Sequence, residues 1–92
     1  MHTYYVYILT NIHRTVMYVG VTNNLERRLA EHRAGIGGTF TRRYRVHTLV
    51  HVETFQRVDD AIAQEKRIKG WSRAKKNALV EQSNPIWADL TP

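Results

Sequence analysis

Five side chains in this sequence are of types that do chemistry, and their placement is unusual for purely structural residues. Arg28 and His32 lie one helical turn apart in a segment whose apolar face is marked by Leu25 and Leu29. At about 100° per residue both fall within that inward face, whereas the adjacent Arg27 points to solvent. A guanidinium on the inward side of a helix is costly unless something anionic meets it. Glu65 is the reverse anomaly. It falls between Ala61, Ile62 and Ile68 on the apolar side of a second helix, and an acid there requires a cation, either a basic side chain such as Arg28 or a metal ion. Tyr7 and Tyr18 place two phenols on neighbouring strands.

The elements that must position these groups are marked locally. Thr3 to Leu9 is rich in aromatic and β-branched residues and predicts a strand, Thr10 to Thr15 a polar connection, and Val16 to Val21 the second strand of a hairpin. If Leu9 pairs with Val16, Tyr7 lies directly opposite Tyr18 with Cβ atoms about 5 Å apart. Gly20 shares that face and leaves room above it for a ligand; the strand pattern alone favours a plain pair of stacked sheet tyrosines. Asn23 is placed as the N-cap of the first helix, with Glu26 completing a capping-box-like pair. Gly35 to Arg45 then combines glycines with Arg42, Arg43 and Arg45 and the rings of Phe40 and Tyr44. Such a loop lays guanidinium groups on phosphates and a ring on a base, or is simply solvated and mobile. Val46 to Thr54 predicts a third strand with His47 and His51 at its surface. Asp59 or Asp60 caps a second helix running to Gly70. Ser72 caps a third, Arg73 to about Glu81, which packs through Ala74, Ala78 and Leu79 and turns Asn77 inward. Asn84-Pro85 ends it, and Trp87 folds back on the core.

With 92 residues the chain is expected to form one domain over 1–92. Its 14 Lys and Arg against 8 Asp and Glu give a net charge of +6, which suggests a polyanionic partner, most often nucleic acid, although a merely basic surface would have the same balance. Lys66, Arg67, Lys69, Arg73, Lys75 and Lys76 concentrate that charge on the second and third helices. The absence of cysteine excludes disulfides and thiolate metal sites. The five histidines lack metal-ligand spacing, which argues against structural zinc. No apolar run is long enough to span a membrane and no leader is apparent, so a cytoplasmic location is expected.

Taken together, the residues resemble the GIY-YIG nuclease family, in its small bacterial single-domain, UPF0213-like branch. Tyr5-Val6-Tyr7 corresponds to the first family triplet and Tyr18-Val19-Gly20 to the second, with Arg28 eight residues after that glycine. His32 sits a turn further, as in several members, and Glu65 lies where the family places its metal-binding glutamate. Asn77 matches a functional asparagine of some members, more weakly. The resemblance spans about residues 3–80; Tyr5 replaces the first glycine and valine replaces isoleucine in both triplets, and neither change removes a chemical group.

The resemblance implies an α+β fold, with a small three-stranded, mainly antiparallel sheet flanked by helices in the order β-β-α-β-α-α. It also implies a metal-dependent DNA endonuclease, serving repair or recombination, with Tyr7, Tyr18, Arg28, His32 and Glu65 catalytic. Glu65 would hold Mg²⁺ (or Mn²⁺), with waters and a phosphate oxygen completing the coordination. Arg28 would stabilise the developing phosphate charge. Tyr7, Tyr18 and His32 are the candidates for the base, with the family leaning toward a tyrosine and Tyr7 preferred. Arg42, Arg43, Arg45, Lys69, Lys75, Lys76 and Asn77 would contact DNA, single-stranded, branched or duplex, with a protein partner as one route to targeting. The alternative is a non-catalytic nucleic-acid-binding module that keeps the fold and the basic surface.

Overall fold

A computed structural model describes residues 2–36 and 38–92; Met1, and Gly37 of the expected Gly35–Arg45 loop, lie outside the described residues. The chain forms β1 (Tyr4–Thr10), β2 (Met17–Thr22), α1 (Leu25–Arg33), α2 (Thr39–Tyr44), β3 (Thr48–Phe55), α3 (Val58–Lys69) and α4 (Arg73–Ser83). The three strands make one antiparallel sheet in the order β2-β1-β3. The expected sequence of elements is present, with one short helix, α2, added where a loop was anticipated.

Alternation along the central strand builds two cores. Val6 and Ile8 face one way and pack with Val19, Val50, Ala61, Ile68, Val80 and Trp87 beneath α3 and α4. Tyr7 and Leu9 face the other way and pack with Leu29, Val46 and Leu49 beneath α1. Trp87 therefore does fold back, and its indole Nε1 donates to Glu81 Oε2 at 3.1 Å. Asn84 anchors the tail from a buried position, donating to the carbonyls of Val50 and Ala88 and accepting from Ala88 N. Beyond it, Leu90 N donates to Leu49 O, and Asp89 accepts from Leu49 N.

Several local expectations change. The hairpin register is shifted: Thr10 pairs with Met17 and Leu9 with Tyr18, so Tyr7 lies opposite Gly20 and not opposite Tyr18. The cause is Asn11, whose side-chain oxygen accepts from the amides of both Thr15 and Val16 and draws Val16 into the turn. The first helix is capped by Asn24, which accepts from Arg27 N at 3.1 Å, one residue later than Asn23. Arg57 occupies the cap position of α3; Asp59 and Asp60 lie in its first turn, where acidic side chains favour the helix dipole. Ser72 caps α4 as expected, but its core contacts come from Val80 and Leu79, while Ala74 and Ala78 are exposed, as is Ile62 on α3. A bulge in β3 leaves Val50 as an extra residue between the Ile8–His51 and Leu9–Leu49 pairs. His51 pairs with Ile8 on the face covered by α3 and α4, where it is buried and its Nε2 meets Glu53 Oε2 at 2.7 Å, so His51 is not the surface residue expected.

The space over Gly20 is filled by the protein itself. A Cβ built on Gly20 would lie 2.5 Å from both Cζ and the hydroxyl oxygen of Tyr7, and 2.9 Å from Tyr18 Cε1. Gly20 thus admits the phenol of Tyr7 and leaves no slot for a ligand. Gly20→Ala is expected to destabilise the fold by roughly 1–3 kcal/mol through overpacking, measured as a lowered midpoint in urea; an unchanged midpoint would place the Tyr7 ring elsewhere.

Candidate active site

On the α1 face, β1 supplies Tyr7, the edge strand β2 supplies Tyr18, and α1 supplies Arg28 and His32. The diagonal offset set by the register still brings the rings together, with centroid separations of 6.2 Å for Tyr7 and Tyr18, 5.9 Å for Tyr7 and His32, and 5.1 Å for Tyr18 and His32. The Arg28 guanidinium lies beside both phenols and interacts with them, and its Nη1 donates to Glu31 Oε1 at 3.3 Å. Burial works against its charge but is outweighed by these interactions, so the group stays firmly cationic. The inward arginine thus has a carboxylate, Glu31, and the two phenols beside it.

Tyr7 is completely buried. Burial, reinforced by the neighbouring Tyr18, pushes its hydroxyl up to about 12 despite the adjacent guanidinium. Tyr7 therefore stays a phenol at neutral pH. His32 is buried as well, and burial with the Arg28 charge lowers it to about 4, so it is a neutral imidazole. Its Nε2 lies 3.0 Å from the Tyr7 hydroxyl and its Nδ1 lies 3.2 Å from Thr41 Oγ1. Thr41, a buried residue of α2, carried no sequence signal, because a six-residue helix in a glycine-rich segment leaves no periodicity to read.

Around this centre α2 presents the basic segment. Phe40 stands 6.4 Å from Tyr18 and Tyr44 5.0 Å from Phe40, both half exposed, and the Arg43 guanidinium lies 5.5 Å above the Tyr44 ring. Arg42, Arg43 and Arg45 are exposed. Glu65 is placed differently. Its helix packs on the Val6–Ile8 face of the sheet, opposite Tyr7, and its half-buried carboxylate pairs with Lys69 Nζ at 3.0 Å. Of the cations expected to meet Glu65, the structure supplies a basic side chain, Lys69 and not Arg28: α1 closes the tyrosine face, and α3 packs on the other. Lys75 is also engaged, 4.2 Å above the Trp71 ring. Asn77 is half-buried and accepts from Arg73 Nε, while Arg73 also holds the carbonyls of Thr15 and Arg14.

A model of the GIY-YIG catalytic domain matches residues 3–77, the span that contains the phenol pair, Arg28, His32 and Glu65. The chain belongs to the GIY-YIG family. Among its GIY-YIG relatives, the UPF0213 protein of Natronomonas pharaonis is 47% identical over 77 residues, covering 84% of this chain and 89% of that one. The UPF0213 protein of Bacillus pumilus is 37% identical over 81 residues, covering 88% of this chain and 82% of the relative. The solution NMR structure of a UPF0213 protein from Bacillus halodurans superposes with a TM-score of 0.62 at 31% identity, covering 97% of this chain and 94% of the other. The small single-domain branch thus extends across bacteria and archaea. Family membership implies a nuclease acting on nucleic acid. Among the described residues no helix is long and apolar enough to cross a membrane.

The neutral, buried His32 makes stability depend on pH. The unfolded chain binds a proton near pH 6.5, whereas the folded one resists it until about pH 4. Stability is therefore full above pH 6.5 and is lost as pH falls through that window, by on the order of 3 kcal/mol. Carboxylates contribute further down: Asp59 is held low by Arg57, and Asp89 by hydrogen bonds from Thr91 and Leu49 that outweigh its burial. Urea midpoints should drop between pH 7 and pH 4.5 in the wild type and stay nearly level in His32→Asn; a level wild-type profile would contradict the burial of this imidazole.

Proposed function

We propose that this chain is a divalent-metal-dependent endonuclease that hydrolyses phosphodiester bonds in DNA through one GIY-YIG-type site, as a single domain working in the cytoplasm in repair or recombination. The observation that carries the reading is the Arg28 guanidinium held on the inward face of α1 against the hydroxyls of Tyr7 and Tyr18. A cation fixed among proton-bearing oxygens is what an in-line attack on a phosphate needs. Its donors can pass from the phenols to a non-bridging phosphate oxygen, where charge grows in the transition state.

Tyr7 is a phenol at neutral pH, so it accepts a proton from the attacking water only by passing on its own, and His32 Nε2 at 3.0 Å is the neighbouring acceptor. Tyr18, half-buried on the edge strand, orients water or phosphate. The arginines of α2 with Lys69, Lys75, Lys76 and Asn77 would hold the backbone, and Phe40 and Tyr44 offer rings to a base.

Glu65 would hold the metal. A single carboxylate oxygen donor suits Mg²⁺ or Mn²⁺, which keep several waters and are completed by substrate phosphate, and suits no all-protein cage. Among the described residues no cluster of three or more acidic or histidine side chains offers such a cage, and the ion would have to displace Lys69 from Glu65. When bound, it supplies a Lewis acid for the phosphate and leaving oxygens. That pairing and the separate sheet face of α3 favour, as a second reading, a nucleic-acid-binding module without catalysis.

Cleavage of end-labelled single-stranded, duplex and branched DNA with Mg²⁺ or Mn²⁺ separates the two. Arg28→Ala is expected to lose about 10²–10³ in rate, and Glu65→Gln to lose the metal-stimulated reaction while remaining folded. Salt-sensitive binding of DNA with no cutting of any substrate would establish the binding module.

A further inference from the structure

A line of hydrogen bonds runs from the start of α2 to the catalytic phenol, and its direction is set at the Gly38 carbonyl. Thr41 Oγ1 lies 3.3 Å from Gly38 O and 3.2 Å from His32 Nδ1; His32 Nε2 lies 3.0 Å from the Tyr7 hydroxyl, with the Arg28 charge alongside. A carbonyl only accepts. The single Thr41 proton therefore goes to Gly38 O, which leaves an oxygen lone pair for His32 and places the proton on Nδ1. At the other end the unprotonated Nε2 then accepts the Tyr7 hydroxyl proton across 3.0 Å. In the opposite direction Thr41 would meet Gly38 O lone pair to lone pair at 3.3 Å. Thr41 and His32 are each about 1% exposed, so no bulk water competes for these bonds.

We propose that Thr41 is a positioning residue that holds His32 in the Nδ1–H tautomer, so that Nε2 draws the proton out of Tyr7 during hydrolysis. The catalytic part rests on the nuclease reading; the tautomer is a property of the folded chain by itself. In the step, the water oxygen bonds to phosphorus as the bond to the leaving sugar oxygen breaks. The water proton moves to the Tyr7 oxygen, the Tyr7 proton moves to Nε2, and the leaving oxygen takes a proton from solvent. Nε2 returns its proton along the same line when product departs. Arg28 on α1 and His47 after α2 disfavour the imidazolium, and Glu31 opposes them, so the proton is held only in passing. Thr41 sits between Phe40 and Arg42, which point outward, so the helix that would meet substrate also sets the protonation pattern beneath it.

The test is the ¹⁵N spectrum of the His32 ring together with cleavage kinetics for wild type, Thr41→Ser and Thr41→Val. The expected result is an Nδ1–H tautomer in wild type and Thr41→Ser and its loss in Thr41→Val. With it should come a kcat lowered roughly 10–100-fold, the usual effect of removing a group that orients a histidine, at unchanged KM and restored by serine. An Nε2–H tautomer in the wild-type protein overturns the proposal, and that spectrum needs no variant to fold. An Nδ1–H tautomer with equal kcat in all three proteins overturns the positioning role. Absence of cutting by the wild type on any DNA overturns the nuclease reading, and the catalytic role of Thr41 with it, while the spectrum still reports the hydrogen-bond direction.

Discussion

A phenol hydroxyl cannot be buried without partners, and Tyr7 is completely buried in the middle strand of a three-stranded sheet. Much of the α1 face follows from meeting that requirement. Glycine at position 20 makes room for the ring, α1 brings a guanidinium and an imidazole to the hydroxyl, and α2 brings a threonine to the far side of the imidazole. Each partner is itself buried or half-buried and has its own partner in turn, so the group behaves as a network in which one deletion strands several atoms. The same network keeps Tyr7 protonated and His32 neutral, the resting state from which a proton can move between them.

The sheet divides the labour. Odd-numbered residues of β1 build the phenol face and even-numbered ones build the aliphatic core under α3 and α4. Arg28 and Glu65, the two charged residues that stood out on their helices, therefore approach from opposite sides of one layer. Each finds a local counter-charge: Glu31 three residues on for Arg28, and Lys69 four residues on for Glu65. Both pairs are partly exposed and contribute little to stability.

Much of this was legible in the residues. The inward placement of Arg28 and His32 followed from Leu25 and Leu29, because helical periodicity is a property of the chain itself. The tyrosines were assigned to one face correctly but in the wrong register, since a polar side chain in the turn, Asn11, reset the pairing. His51 looked like a surface residue because a polar ring is usually left in water, but both faces of the sheet are covered and it is buried beside Ile8. Arg28 was one cation expected to meet Glu65, and Lys69 does so instead; which side of a sheet a distant helix covers is decided by long-range packing, and spacing in the sequence does not carry it. Thr41 was invisible for the same reason, since its partner is nine residues away across a glycine-rich bend.

The C-terminal segment has a consequence for how copies of the chain meet one another. β3 is an edge strand, and at Leu49 its outward amide and carbonyl are occupied by Asp89 and by the amide of Leu90. Open backbone groups on an edge are templates for strand addition between molecules and for the growth of cross-β aggregates. By closing that position with its own tail, the chain protects one side of its sheet from self-association. Losing the tail would remove that protection while leaving the tyrosine face itself in place.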